Sequence, residues 1–262
     1  MGAHAQFALD GQARMEGFMN KTQQEALAAL EDMAEEGYRA FTSRLCPSEG
    51  RRIIGVRLPR IRALAFRIAK AGGLCDLMAP LPPSACYEMV LLKASAFAHM
   101  DRPPEAIQEE VLRFITEVDG WGSCDSLAAS LKDARAHPDE WWPFVERLFS
   151  HPYPYARRLA MVMCIWFFCD KEHLGEALEL IGRCPLSHFY ERMGAAWALS
   201  MYYVRFPKAV GDFVEHGLSD RKVASKAMSK VLESRQGSAA DRAMARQIRG
   251  RLKGRASERV DA

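Results

Sequence analysis

Apolar residues recur along most of this chain at intervals of three and four, the spacing that lines one side of an α-helix. In "LPRIRALAFRIAKAGG" (58–73), Ile61, Leu64, Ala65 and Ile68 fall on one stripe; Pro59 suits a first helical turn and Gly72-Gly73 a C-terminal stop. "SACYEMVLLKASAFAHM" (84–100) and "PEAIQEEVLRFITEVDGW" (104–121) keep the same period, as do 138–150, 153–169, 173–183, 187–204, 206–217 and 220–234. The connectors are short and rich in Pro, Gly, Asp and Ser: "MDRPP", "SHPYP", "RCPLSH" and "RFP". No run alternates apolar and polar residues as a half-buried strand would. The pattern predicts an all-α protein, and solenoids of the HEAT type repeat at about 40 residues, a pitch that 103–134, 138–170, 173–204 and 206–234 approach. The expected architecture is a curved superhelical stack of antiparallel helix pairs whose concave face offers an extended binding surface. One domain is expected over 20–235, with a flexible N-terminal segment at 1–19 and a basic C-terminal helix or tail at 236–262.

Composition adds few restrictions. Hydrophobic residues make up 49% of the 262 and charged residues 26%, enough apolar matter for a sizeable core. No run approaches the roughly 18 apolar residues of a membrane span. The first residues lack the apolar centre of a signal peptide and carry Gln6 where myristoylation needs Ser or Thr, so a cytoplasmic protein without membrane contact is expected. Seven cysteines are scattered with no C-x-x-C pair, and seven histidines with no H-E-x-x-H. Reduced, mostly buried thiols are expected, with no metal and no cofactor.

Charge changes the picture more. The net charge is only +3, yet residues 205–262 hold 14 Lys and Arg against 7 Asp and Glu, a balance of +7, which leaves −4 for the rest. A basic end on a nearly neutral body suggests an anionic partner, nucleic acid first; a solvated basic helix is the plainer alternative.

Three stretches could carry chemistry. "DGWGSCDS" (119–126) places Trp121 four residues before Asp125 at what reads as the opening of a helix. "YARRLAMVM" (155–163) opens an apolar helix with Arg157 and Arg158, and "RMGAAWALSMYYVRFP" (192–207) sets Trp197 among small residues. Each has a structural alternative: a core tryptophan, a pair of arginines capping a neighbouring helix, a first-turn aspartate favoured by the helix dipole.

Taken together, these stretches resemble the DNA alkylation repair family, the AlkD-like DNA glycosylases. The family's first motif is similar to "IIGVRLPRIRALAFRIAK" (53–70), its Trp-x-x-x-Asp element to Trp121 and Asp125, and its Arg-Arg helix to "RRLAMVM". Its second tryptophan helix resembles "GAAWALSMYYVRFP", and its following basic helix "LSDRKVASKAMSKV" (218–231). The resemblance covers roughly residues 25–235. One departure is Gly120, where some members carry a second aromatic before the tryptophan.

The resemblance implies a single-domain HEAT-like fold and a monofunctional glycosylase of base excision repair. It would hydrolyse the N-glycosidic bond of N3- and N7-alkylated purines in duplex DNA, leaving an abasic site without flipping the base into a pocket. It implies Asp125, Trp121 and Trp197 around the sugar and Arg158 at the backbone, with Arg157 the lesser of the two arginines. An alkylated purine is already a good leaving group, so the remaining demand is on the oxocarbenium-like charge that develops on the sugar. A fixed carboxylate meets that demand, aromatic faces favour the same cation, and Asp125 could also orient the attacking water. Arg51, Arg52, Arg57, Arg221, Lys222 and Lys226 are the candidate backbone contacts, and the partner expected is double-stranded DNA bound by a monomer. A non-catalytic repeat protein binding DNA of unusual structure, or a protein-binding scaffold, would need no more than the solenoid.

Overall fold

The computed structural model describes residues 18–45 and 50–257. All but the last two residues of the expected N-terminal segment 1–19, and the final five of the C-terminal region, lie outside the described residues. Every regular element among the described residues is helical, as the periodicity requires. The helices are α1 (Lys21–Asp32), α2 (Glu36–Leu45), α3 (Leu58–Lys70), α4 (Leu74–Met78), α5 (Tyr87–Ala96), α6 (Pro104–Phe114) and α7 (Trp121–Ser130). They continue with α8 (Pro138–Phe149), α9 (Pro154–Phe167), α10 (Leu174–Arg183), α11 (Phe189–Arg205), α12 (Pro207–Asp212), α13 (Arg221–Glu233) and α14 (Ala239–Ser257). Short 3₁₀ turns at Phe97–His99, Ile115–Glu117 and Lys132–Arg135 and a π turn at Phe213–Gly217 finish or join them.

The boundaries follow local chemistry. Four helices start on a proline, whose fixed φ suits a first turn and whose missing N–H would have had no helical partner there. Asp220 caps α13 by accepting from the N–H groups of Lys222 and Val223. α11 starts in a reciprocal box in which His188 caps and Glu191 reaches back to the cap's own N–H.

The described residues form two compact units, one made of those up to 100 together with 117–123, the other of 101–116 together with those from 124 onward. In the first, α3 packs on α5, α4 lies against both and α1 against α4 and α5, around Leu30, Ile61, Leu77, Met89 and Leu92. The buried Glu88 carboxylate accepts from the N–H groups of Ile54 and Gly55 at 2.9 and 2.7 Å, bracing the "IIGV" loop. Gly55 is obligatory there: its φ is +97°, and a Cβ would lie 2.7 Å from the backbone of Glu35 and Arg39.

In the second unit successive helices stack in chain order, α8 on α9, α9 on α11, α11 on α13 and α13 on α14. Trp141 and Trp142 belong to its core, each indole N–H donating to a carboxylate, Asp133 at 2.8 Å and Glu176 at 2.7 Å. Within 236–262, residues Ala239–Ser257 form α14. α14 buries Ala245, Ile248 and Leu252, one stripe at i, i+3 and i+7, so packed structure runs past residue 235. Among the described residues no helix is long and apolar enough to cross a membrane.

Candidate functional site

α7 begins at Trp121, so Asp125 lies one full turn inside the helix and not in its first turn. The expected dipole device therefore does not apply, because the influence of a helix terminus fades within that turn. A buried arginine takes its place. Arg158, from the first half of α9, donates from Nε to Asp125 Oδ1 at 2.9 Å and from Nη2 to Oδ2 at 2.8 Å. This fork-to-fork pairing fixes the plane of the carboxylate as well as its charge. The arginine side chain is 6% exposed and the aspartate 18%, so the arginine is enclosed by protein while the carboxylate keeps a small part of its surface exposed. Arg158 Nη1 donates to the Tyr190 carbonyl oxygen at 2.8 Å, which ties α9 to the start of α11.

Two features of α11 make room for this arrangement. Gly194 lies against the arginine: a Cβ there would come 3.4 Å from Arg158 Cγ and 3.3 Å from Met161 Sδ. A side chain at 194 would crowd Met161 Sδ and pack directly against Arg158. Trp197 follows three residues later on the same face, partly exposed. Trp121, four residues before Asp125 along α7, is also partly exposed; its indole N–H donates to the Leu45 carbonyl oxygen at 3.1 Å.

The electrostatics follow from burial. Burial pushes the Asp125 carboxyl above the ordinary carboxylate range, and the charges of Arg158 and Lys230 pull it part of the way back. Burial works against the charge of Arg158, but Asp125 more than offsets it and the guanidinium is held protonated more firmly than usual. Lys230, half-buried on α13, is pushed below the usual lysine range by burial and by the cations of Lys226 and Arg158. The carboxylate thus faces one fixed cation and one adjustable one.

The remaining candidates separate sharply. Arg157, next to Arg158, is buried in an ion pair with Glu191, which is fully buried, and donates to the His151 carbonyl. A DNA-contacting role does not fit a guanidinium enclosed in this way. Arg51 is likewise internal, paired with Asp119 and donating to the Ala85 carbonyl at 3.0 Å, so it holds loops together and is not a surface cation. Arg52 pairs with Glu31 and Arg57 with Glu35, both on the surface of the first unit. Arg57 also lies 4.8 Å from the Tyr38 ring centre. Arg221, exposed, donates to the Glu215 carbonyl at 2.7 Å. Lys222 and Lys226 are exposed on α13, and with Lys230 they form a line at i, i+4 and i+8.

Sequence reasoning missed Lys230, Gly194, Glu191 and the Tyr190 carbonyl. The Lys222–Lys226–Lys230 spacing was visible in "RKVASKAMSK", whereas a backbone carbonyl leaves no residue-type signal. Cys75 is exposed, whereas Cys86, Cys124, Cys164, Cys169 and Cys184 are buried. Burial pushes the Cys86 thiol up to about 11, away from reactivity. Among the described residues no group of His, Cys, Asp and Glu could hold a metal ion.

None of the curated proteins matches the chain. A family model does, that of the DNA alkylation repair enzymes, over residues 23–236. That span runs from α1 to just past α13 and takes in the forked carboxylate, the glycine that admits its arginine and both partly exposed tryptophans. A match over most of the chain settles the kinship: this protein belongs to the DNA alkylation repair enzyme family.

Proposed function

We propose that the protein is a monofunctional DNA glycosylase that releases N3- and N7-alkylated purines from duplex DNA and leaves an abasic site. The observation that carries this reading is the Asp125–Arg158 pair: a largely buried carboxylate locked in one orientation by two hydrogen bonds and still partly exposed. A carboxylate that receives a sugar cation needs both a fixed orientation and some exposure, and Asp125 has the two together.

In this mechanism Asp125 stabilises the positive charge that grows at C1′ as the C–N bond lengthens, and the departing alkylpurine takes the bonding electrons as a neutral base. Water then adds to C1′ from the side of the carboxylate, which accepts its proton. Because Arg158 fixes Asp125 before substrate arrives, little reorganisation remains to be done in the transition state. Arg158 is here a positioning residue. Phosphate contact passes to Lys222, Lys226 and Lys230, whose ammonium groups line α13. Trp121 and Trp197 are assigned to the deoxyribose by the family resemblance; their partial exposure is compatible with that role.

Purified protein with methylated duplex DNA should release 7-methylguanine or 3-methyladenine without added metal. Asp125→Asn should lower the single-turnover rate about 10²-fold or more while DNA affinity changes little. Absence of base release by the wild-type protein would refute the glycosylase reading and leave a non-catalytic DNA-binding repeat protein.

A further inference from the structure

Farther along the same two helices from the Asp125–Arg158 pair lies a second feature that the proposed chemistry does not use. Trp166 follows Arg158 by eight residues on α9, about 12 Å at the helical rise. Ala129 follows Asp125 by one turn on α7. Between them, with Phe167 and the cations Lys132 and Arg135 of the adjoining 3₁₀ turn, is a cavity of about 370 Å³.

The lining is unusual in three respects. Trp166 is 47% exposed, whereas Trp141 and Trp142 of the same unit are buried with their N–H groups satisfied. Both cations are exposed, and among the described residues neither forms an ion pair, although Asp133 stands between them. Asp133 faces elsewhere, towards the Trp141 indole and His137. Arg135 lies 5.9 Å from the Phe167 ring centre, so its planar head lies beside an aromatic surface.

An indole face, a small-residue floor and two cations without carboxylate partners select a ligand that is flat, apolar on its faces and negatively charged. A nucleotide has these properties. A base inside an intact duplex does not, since its faces are covered by its neighbours. We propose that Trp166, Phe167, Lys132 and Arg135 form a second nucleic-acid site that takes one unpaired nucleotide, its base stacked on Trp166 and its phosphate held by Lys132 and Arg135. The inference rests on the DNA-binding part of the proposed function. It gives the protein a preference for DNA whose stacking is already interrupted.

The test is fluorescence anisotropy with two labelled duplexes of one sequence, fully paired and carrying a short unpaired bulge. Trp166→Ala should weaken binding of the bulged duplex at least about fivefold, the effect of losing one stacked base, and leave the paired duplex unchanged. Trp166→Phe should restore most of the loss. Lys132→Ala with Arg135→Ala should weaken the bulged duplex and flatten its salt dependence by about one counterion per cation removed. Equal effects on the two duplexes, or none, overturn the site. So does a Glu-rich peptide whose binding depends on Trp166 while that of the bulged duplex does not. Wild-type protein that binds neither duplex overturns the DNA reading as well, and wild-type binding that Trp166→Ala leaves intact overturns this inference alone.

Discussion

Arg157 and Arg158 are neighbours on α9, both buried, both paired with a carboxylate, yet the two regions they enter are built differently. Around Arg157 everything is closed. Glu191 is fully buried and accepts from Arg157 Nε at 2.6 Å, from the His188 N–H at 2.7 Å and from Ser187 Oγ at 3.4 Å. Its oxygens are engaged by the helix cap and the guanidinium together, so the pair fastens α9 to the start of α11. Around Arg158 the geometry is as well ordered, but Asp125 takes only the two N–H groups of the fork and stays partly exposed. Burial raises the cost of charge in both places; only one of them leaves a face on which a developing cation could be received. Adjacent residues of one type therefore differ in role through the completeness of their partner's hydrogen bonding.

The sharpest way to break this comparison is to remove each arginine and ask what is lost. Arg157→Met should cost about 3–5 kcal/mol of stability, read by urea unfolding, because a fully buried carboxylate would be left without its counter-charge. Base release per folded molecule should be unaltered. Loss of chemistry without loss of stability would reverse the roles given to the two pairs.

Arg158→Met should act on the pH profile instead. Burial already holds the Asp125 carboxyl above the ordinary range, with Arg158 and Lys230 opposing that rise. The ionised form is the active one, so the rate falls as pH drops through this raised value. Removing Arg158 deletes an opposing charge, which moves the acid limb of single-turnover base release to higher pH. A limb that stays in place in Arg158→Met would mean that another group sets it. The smallest effect should come from the open surface: Lys226→Ala should reduce the slope of log affinity against log salt by about 0.9, one phosphate contact, with the base-release rate at saturation unchanged.

Much of this was legible in the sequence. The helices at 58–70, 138–149, 154–167, 174–183 and 221–233 appear within a residue or two of where apolar spacing, prolines and glycines put them, because helix formation answers to local signals. The motif order led to the family, and the family model covers the same span. The end at 236–262 was harder, since three buried residues in α14 are too few to stand out in a stretch so rich in arginine.

What the sequence determined by itself is the helical architecture, the family and the short list of chemistry-bearing residues, all properties carried by residue type and spacing. Tertiary structure alone decided which of those residues are enclosed and which are open. Arg51 and Arg157 read as surface cations until their carboxylates, 68 and 34 positions away, are seen to close over them. Asp125 read as a dipole-stabilised first-turn acid until Arg158, 33 positions on, is found to be what holds it. The reason is physical: charge and hydrogen bonding at a buried site depend on groups brought together by packing, and no local pattern records which partner will arrive.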